Sequence, residues 1–160
     1  MSEQVLVIIG SKEWQAILAS SYRELTQGLG GLPELPENMG MLFDIGYERY
    51  ISVTTVPMLF PIDIAFLSDD LVVNGIYREI APGHLITSSY PARYFFETNI
   101  GELSGIEVGD MASLTLFPAY QVPQVTANEL SSITSLGVLM VLSGFVFILV
   151  KKYAEGVNTA

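Results

Sequence analysis

Residues 61–76 read Pro-Ile-Asp-Ile-Ala-Phe-Leu-Ser-Asp-Asp-Leu-Val-Val-Asn-Gly-Ile. Two β-rich runs, Ile62–Leu67 and Leu71–Ile76, flank Ser68-Asp69-Asp70, which is the pattern of a β-hairpin. Side chains alternate along a strand, so Asp63 shares a face with Pro61 and Ala65, opposite Ile62, Ile64 and Phe66. Upstream, Val5–Ile9, the turn Gly10-Ser11-Lys12 and Trp14–Leu18 predict another hairpin. Ser21-Tyr-Arg-Glu24 is a capping box for a short helix that Gly28 ends. An irregular loop follows from Gly30 to Asn38, and Met41–Phe43 resumes a strand. Ile51–Val56, Tyr94–Thr98 and Ala112–Phe117 complete the β-rich runs. Turn residues recur about every ten positions, as in a small barrel or sandwich.

The expected fold class is mainly β (α+β). It is a small compact β-barrel or sandwich-like domain with one short helix, over residues 1–117. A linker spans 118–129, a single C-terminal transmembrane helix spans 130–152, and a short tail spans 153–160. The helix expectation rests on Leu130–Val150, which holds no charge and is apolar all round. At about 1.5 Å per residue its length matches the roughly 30 Å hydrocarbon core of a bilayer. Lys151 and Lys152 follow, then Tyr153, which suits an interface. Gly137 and Gly144 fall near one face and are the candidates for contact with a partner helix. The two lysines favour a cytoplasmic tail and a β domain on the extracytoplasmic side of a single-pass membrane protein. No signal peptide precedes the domain, which argues the other way, so orientation stays open.

Composition excludes several classes. The chain of 160 residues has 17 acids against 7 bases, net charge -10, and residues 1–132 alone hold 16 acids and 5 bases, net -11. Such a chain lacks the basic footprint of a nucleic-acid binder. An acidic domain is also repelled by an anionic bilayer surface. Half of the residues are hydrophobic, too many for a disordered chain. Cysteine is absent, so there is no disulfide framework, thiolate nucleophile or zinc–thiolate site. The single histidine, His84, cannot build a multi-histidine metal centre and is expected on an exposed loop. No cofactor or metal is expected.

Several stretches in order resemble one family. Gly28-Leu29, Leu35-Pro36-Glu37-Asn38-Met39-Gly40-Met41-Leu42-Phe43, Pro61–Leu67 and Asp69–Val73 carry the likeness through the first two thirds. Ser88–Tyr94, Glu97-Thr98-Asn99, Gly101, Gly105-Ile106 and Gly109-Asp110 carry it through the last. They resemble the domain-of-unknown-function 192 family over about residues 5–117. The resemblance implies a compact, mainly β domain, commonly exported or anchored outside the membrane, and no established reaction. The family's Trp-Met-Lys-Asn-Thr run corresponds here to Thr54-Thr55-Val56-Pro57-Met58, without its tryptophan, lysine and asparagine. If that run serves a ligand in the family, this chain has lost it or uses the fold for another purpose.

The candidate residues are few. Asp63 in its apolar strand is either a raised-pKa acid or an acceptor that pins a loop, and the second role is preferred. Arg93 is its expected partner, since both lie in matching family motifs. Asp110, after Gly109, is expected to make a turn. Glu97 and Glu102 could pair as acid and base for glycoside hydrolysis, a pairing that any acid-rich chain offers. Asp69 and Asp70 lack the further oxygens of a calcium loop. No nucleophile elbow or phosphate loop is present. No residue is assigned a catalytic role. Structural or ligand roles are kept for Asp63, Arg93, Asp110 and Glu97.

The reading taken forward is a non-catalytic membrane-anchored module, an accessory subunit of a larger membrane assembly. Its partners are the lipid bilayer, through Leu130–Val150, and other membrane subunits. The alternative is an envelope-associated hydrolase acting on carbohydrate through carboxylates such as Asp63 and Glu97.

Overall fold

The computed structural model describes residues 3–117, 139–142 and 145–148. They fall in two units, a β domain and a hairpin in the C-terminal segment.

In the β domain the elements are β1 (Glu3–Ile9), β2 (Lys12–Ala19), α1 (Tyr22–Gln27), β3 (Met39–Arg49), β4 (Ser52–Thr54) and β5 (Ile62–Leu67). They continue as β6 (Val73–Ile80), β7 (Leu85–Thr87), β8 (Ala92–Asn99) and β9 (Ala112–Leu116). Seven strands make one sheet in the order β6-β5-β8-β3-β2-β1-β9, and β4 and β7 pair separately. The pairs are antiparallel except β2 with β3, which run parallel. A parallel pair needs a crossover, and residues 20–38, including α1, supply it.

The two ends of the sheet meet. Val72 bridges Met111, Val73 N–H donates to the Asp110 carbonyl at 2.9 Å, and Ala112 N–H donates to the Leu71 carbonyl at 2.8 Å. The sheet thus closes into a barrel, which removes the exposed edges that an open sheet would present.

Alternation fills the barrel. Val5, Val7 and Ile9 point inward with Trp14, Ala16, Leu42, Ala65, Leu67, Val73 and Phe96, and Leu103, Ile106 and Ala112 join them. Register sets this face: Val7 lies opposite Trp14, Leu42 opposite Phe96, and Phe96 opposite Ala65. Trp14 and Phe96 pack with ring centroids 5.3 Å apart, tilted at 58°. The same strands bury their outer face too. Every residue of β5 is buried, as are Met41, Phe43 and Phe95. The cover comes from the crossover and the loop before β5, whose Leu29, Leu35, Ile51, Val53 and Met58 are also buried. The continuous run Tyr94-Phe95-Phe96 is explained by this double burial, since Phe96 faces the barrel interior and Phe95 faces the cover.

Helix α1 has the capping box read from the sequence. Glu24 N–H donates to Ser21 Oγ, and Ser21 N–H donates to Glu24 Oε2 at 3.1 Å. It has only six residues, none of them buried, so the capping box and the bond from Gly28 N–H to the Glu24 carbonyl hold its ends.

The C-terminal segment differs from expectation. Leu139–Leu142 forms β10 and Phe145–Ile148 forms β11, paired antiparallel with Leu142 opposite Phe145. The described residues of Leu130–Val150 are therefore strands and not the expected helix. No helix among the described residues is long and apolar enough to cross a membrane. The physical reason is that a charge-free apolar run fixes burial but not period. This one is rich in Val, Phe and Ile, which suit a strand as well as an apolar helix. Gly137 and Gly144 lie outside the described residues.

Candidate functional site

Asp63 is fully buried on the inward face of β5. Its Oδ1 accepts from Glu79 N–H at 2.8 Å, and its Oδ2 accepts from Gly101 N–H at 2.9 Å and Leu103 N–H at 3.2 Å. Those three donors come from β6 and from the turn after β8. Near them Glu79 has a positive φ of 57° and the β5–β6 register shifts between Ile62 and Ile64. The carboxylate replaces ladder partners that this irregularity removes.

Arg93 is not its partner. Asp63 lies opposite Thr98 on β8, five positions from Arg93 and so about 17 Å along the strand. Arg93 instead forks onto Asp44, Nε to Oδ1 at 3.0 Å and Nη2 to Oδ2 at 3.1 Å, and reaches Asp69 Oδ1 at 2.7 Å. Its guanidinium also stacks 4.8 Å from the Tyr94 ring centroid. The Asp44 and Asp69 carboxylates hold Arg93 protonated even more firmly than usual. Burial, then the Asp44 charge, pushes the Tyr94 phenol up. Nothing in the sequence pointed to Asp44, which meets Arg93 only because β3 pairs with β8.

Asp110 Oδ2 accepts from Glu107 N–H at 2.8 Å, closing its turn. His84 is exposed on its loop, with Nδ1 3.0 Å from the Ala81 carbonyl.

Glu102 has more partners than any residue singled out for structural or ligand roles. Its Oε2 accepts from Trp14 Nε1 at 2.7 Å and from Thr98 Oγ1. Its Oε1 accepts from Asn38 N–H at 2.9 Å and Asn99 Nδ2 at 3.2 Å. The carboxylate ties the crossover, β2 and β8 together beside an open depression of about 310 Å³ lined by Ser11, Lys12, Glu13, Trp14, Asn38 and Glu102. No local signal marks it, because its donors lie up to 88 residues away.

Glu97 stands apart. It lies opposite Met41 and Ile64, so it points to the covered outer face. Thr98 and Asp63 point the other way, and Glu102 bonds to Thr98. Glu97 therefore shares no cleft with Asp63 or Glu102, and neither expected carboxylate pair is assembled. Glu97 is 4% exposed, and no side-chain donor reaches its carboxyl among the described residues. A Cβ on Gly28 would lie 4.0 Å from Glu97 Oε2 and 3.3 Å from Phe43 Cζ, so the carboxyl sits directly beneath the Gly28 turn. Burial alone pushes its pKa up to about 8. Among the described residues no cluster of three or more His, Cys, Asp or Glu is arranged to hold a metal.

A pH prediction follows from Glu97. The folded form keeps the proton up to about pH 8, whereas an unfolded glutamate loses it near pH 4.5. Folding therefore binds a proton between those values, and stability falls as pH rises through that window, then levels off. The change amounts to a few kcal/mol, on the order of 1.4 per pH unit. Urea titrations from pH 5 to pH 9 should show this slope in the native chain and a flatter one in Glu97→Gln. An equal slope in both would contradict the assignment.

Residues 5–114 match the DUF192 family, described as an uncharacterized ACR. A structure of a provisionally assigned transcription regulator from Sinorhizobium meliloti 1021 superimposes with a TM-score of 0.65 at 27% identity, covering 71% of this chain and 93% of that one. A protein of unknown function from Novosphingobium aromaticivorans DSM 12444 gives 0.63 at 25% identity, covering 69% and 83%. No curated protein matches the chain.

Proposed function

The chain belongs to the DUF192 family, and from that premise we propose a non-catalytic binding module, tethered to a membrane, that serves as an accessory subunit of a larger assembly. The observation that carries this reading is an exposed aromatic end of the domain. Tyr47, Tyr50 and Tyr90 are each more than 60% exposed, and Arg49 lies 5.5 Å from the Tyr47 ring centroid. Arg49 pairs with Ala92, which brings the Tyr50 and Tyr90 backbones to one end of β3 and β8. Tyrosine and arginine carry most of the energy in protein interfaces, because they bury large area at low entropic cost. The carboxylates support the reading as well. Asp63, Asp44, Asp69, Asp110 and Glu102 all hold the fold's own donors.

The tether is Leu130–Val150, 21 residues without a charge. In a bilayer such a segment would satisfy its backbone groups as one helix in place of the β10–β11 pairing, with Lys151 and Lys152 anchoring its end. Lys151 and Lys152 favour the extracytoplasmic side for the β domain, with the orientation left open by the sequence. The transcriptional role assigned to the S. meliloti protein is not carried over, because a net charge of -10 gives phosphate nothing to bind.

The test is a triple variant, Tyr47→Ala, Tyr50→Ala and Tyr90→Ala, in the full chain. Each truncation removes exposed area only, so folding should be unchanged by circular dichroism. Recovery of partner subunits after mild detergent extraction should fall about tenfold or more, the loss of one or two interface anchors. Unchanged recovery would sink the proposed face.

A further inference from the structure

The outer face of the barrel carries a row of aromatic rings that ends at an acid without a hydrogen-bond partner among the described residues. Phe43 and Phe95 stack with centroids 4.1 Å apart at 7°, Phe66 lies 6.1 Å from Phe95, and Tyr77 meets Phe66 edge-on at 5.7 Å. Phe43 borders Gly28, and beside it, under the same glycine, lies the Glu97 carboxyl. Glu97 faces Met41 on β3, Ile64 on β5, Phe95 on its own strand and Gly28 from the crossover. None of these four can ionise, so nothing there supplies a positive charge to a carboxylate.

The cover over this acid is a glycine turn. Gly28 and Gly31 have φ of +50° and +79°, and Gly30 packs against Pro57 so closely that a Cβ would lie 2.9 Å from the proline's. Gly31 N–H donates to the Pro57 carbonyl at 3.0 Å. Leu29, 2% exposed, is the side chain that the turn buries. Swinging such a turn on its two glycines costs the Gly31–Pro57 hydrogen bond, the bonds from Gly30 N–H to the Gln27 carbonyl and from Leu32 N–H to the Leu29 carbonyl, and the Leu29 contact.

We propose that Glu97 anchors a binding site for an alkylammonium group, reached by lifting the Gly28–Gly31 turn. This deepens the binding-module reading and rests on it. The chemistry selects the ligand class. A hard metal ion needs several oxygens, and this site offers one carboxylate among apolar side chains. An ammonium on an alkyl stem fits both parts, with the charge on Glu97 and the methylenes against Met41, Ile64 and the rings. The free acid holds a proton at neutral pH. An arriving ammonium takes the place of that proton, which leaves to solvent, so charge in the site balances at each stage.

The experiment is isothermal titration of the full chain in detergent with n-butylammonium chloride, n-butanol and sodium chloride. It is run at pH 7 in two buffers of different ionisation enthalpy. Butylammonium should bind about tenfold more tightly than butanol, sodium should give no binding, and about one proton should be released per ammonium bound. Glu97→Gln keeps the size of the neutral acid and should fold normally while losing the preference for the amine. Glu97→Asp should retain the preference at lower affinity. Equal binding of butanol, no release of protons, or a preference that survives Glu97→Gln would overturn the site. Absence of amine binding in a chain that still co-purifies with partners overturns the site and leaves the module reading standing. Amine binding by a chain that purifies alone does the reverse.

Discussion

Asp63→Ala should lower stability by about 3 kcal/mol or more, because hydrogen bonds to a charged acceptor are each worth roughly 1.5–3 kcal/mol and three N–H donors lose theirs. The donors sit on β6 and on the turn that carries Leu103 into the barrel, so the loss acts on the core as well as on a loop. Asp63→Asn keeps one good acceptor but turns an amide N–H₂ toward a donor. It should cost about 2 kcal/mol, between the native chain and alanine. Asp110→Ala removes a single acceptor from a partly exposed turn and should cost about 1 kcal/mol. Urea denaturation of the three variants gives the order directly. An Asp63→Ala variant as stable as Asp110→Ala would show that the buried carboxylate holds nothing.

The second large effect is expected at Gly40, near the start of β3. An added Cβ would lie 2.3 Å and 2.4 Å from Phe96 Cε2 and Cζ, and 2.7 Å from the Glu97 carbonyl oxygen. The phenyl ring cannot retreat, since Phe96 is fully buried and packed on Trp14. The carbonyl belongs to the backbone of the paired strand, and moving it opens the β3–β8 ladder. Overpacking typically costs about 1–3 kcal/mol, and here both a locked ring and a strand must shift, so about 3 kcal/mol or loss of folding is expected for Gly40→Ala. Gly46→Ala separates sterics from backbone conformation. Nothing lies within 4 Å of its added Cβ, but its φ is +90°. It should cost about 1 kcal/mol, from backbone strain alone. A thermal shift for Gly40→Ala no larger than for Gly46→Ala would contradict the packing argument.

What could be read from the sequence was local. The capping box at Ser21 and Glu24, the strand Ile62–Leu67 and the turn at Gly10 are set by neighbours a few residues apart, and each is in the structure. The family likeness over residues 5–114 rests on such short motifs in order. The parallel pairing of β2 with β3 was not legible, because nothing in a short stretch encodes a crossover partner. Strand β7, three residues long, was missed because Leu85–Thr87 is too brief to show a period. Side-chain partners were the least legible of all. Shared motif membership pairs Arg93 with Asp63, whereas register alone decides that it meets Asp44. The sequence offers Glu102, which accepts from four donors, only as half of an acid–base pair. Conversely, alternation along β5 correctly placed Asp63 with Ala65 on one face, because period 2 needs no distant information. The apolar run at the C-terminus marks the opposite limit. Its composition states what it avoids, which is water, and not whether it is helical or extended.

The proposed role of this domain is that of a non-catalytic subunit in a membrane assembly. It is tested most directly by extracting the native membrane in mild detergent, sizing the extracted protein and identifying the chains that migrate with it. The protein should stay with the membrane until detergent is added, then run in one large complex with fixed partners. A protein that leaves the membrane in plain buffer, or that runs alone as a monomer in its micelle, would contradict it.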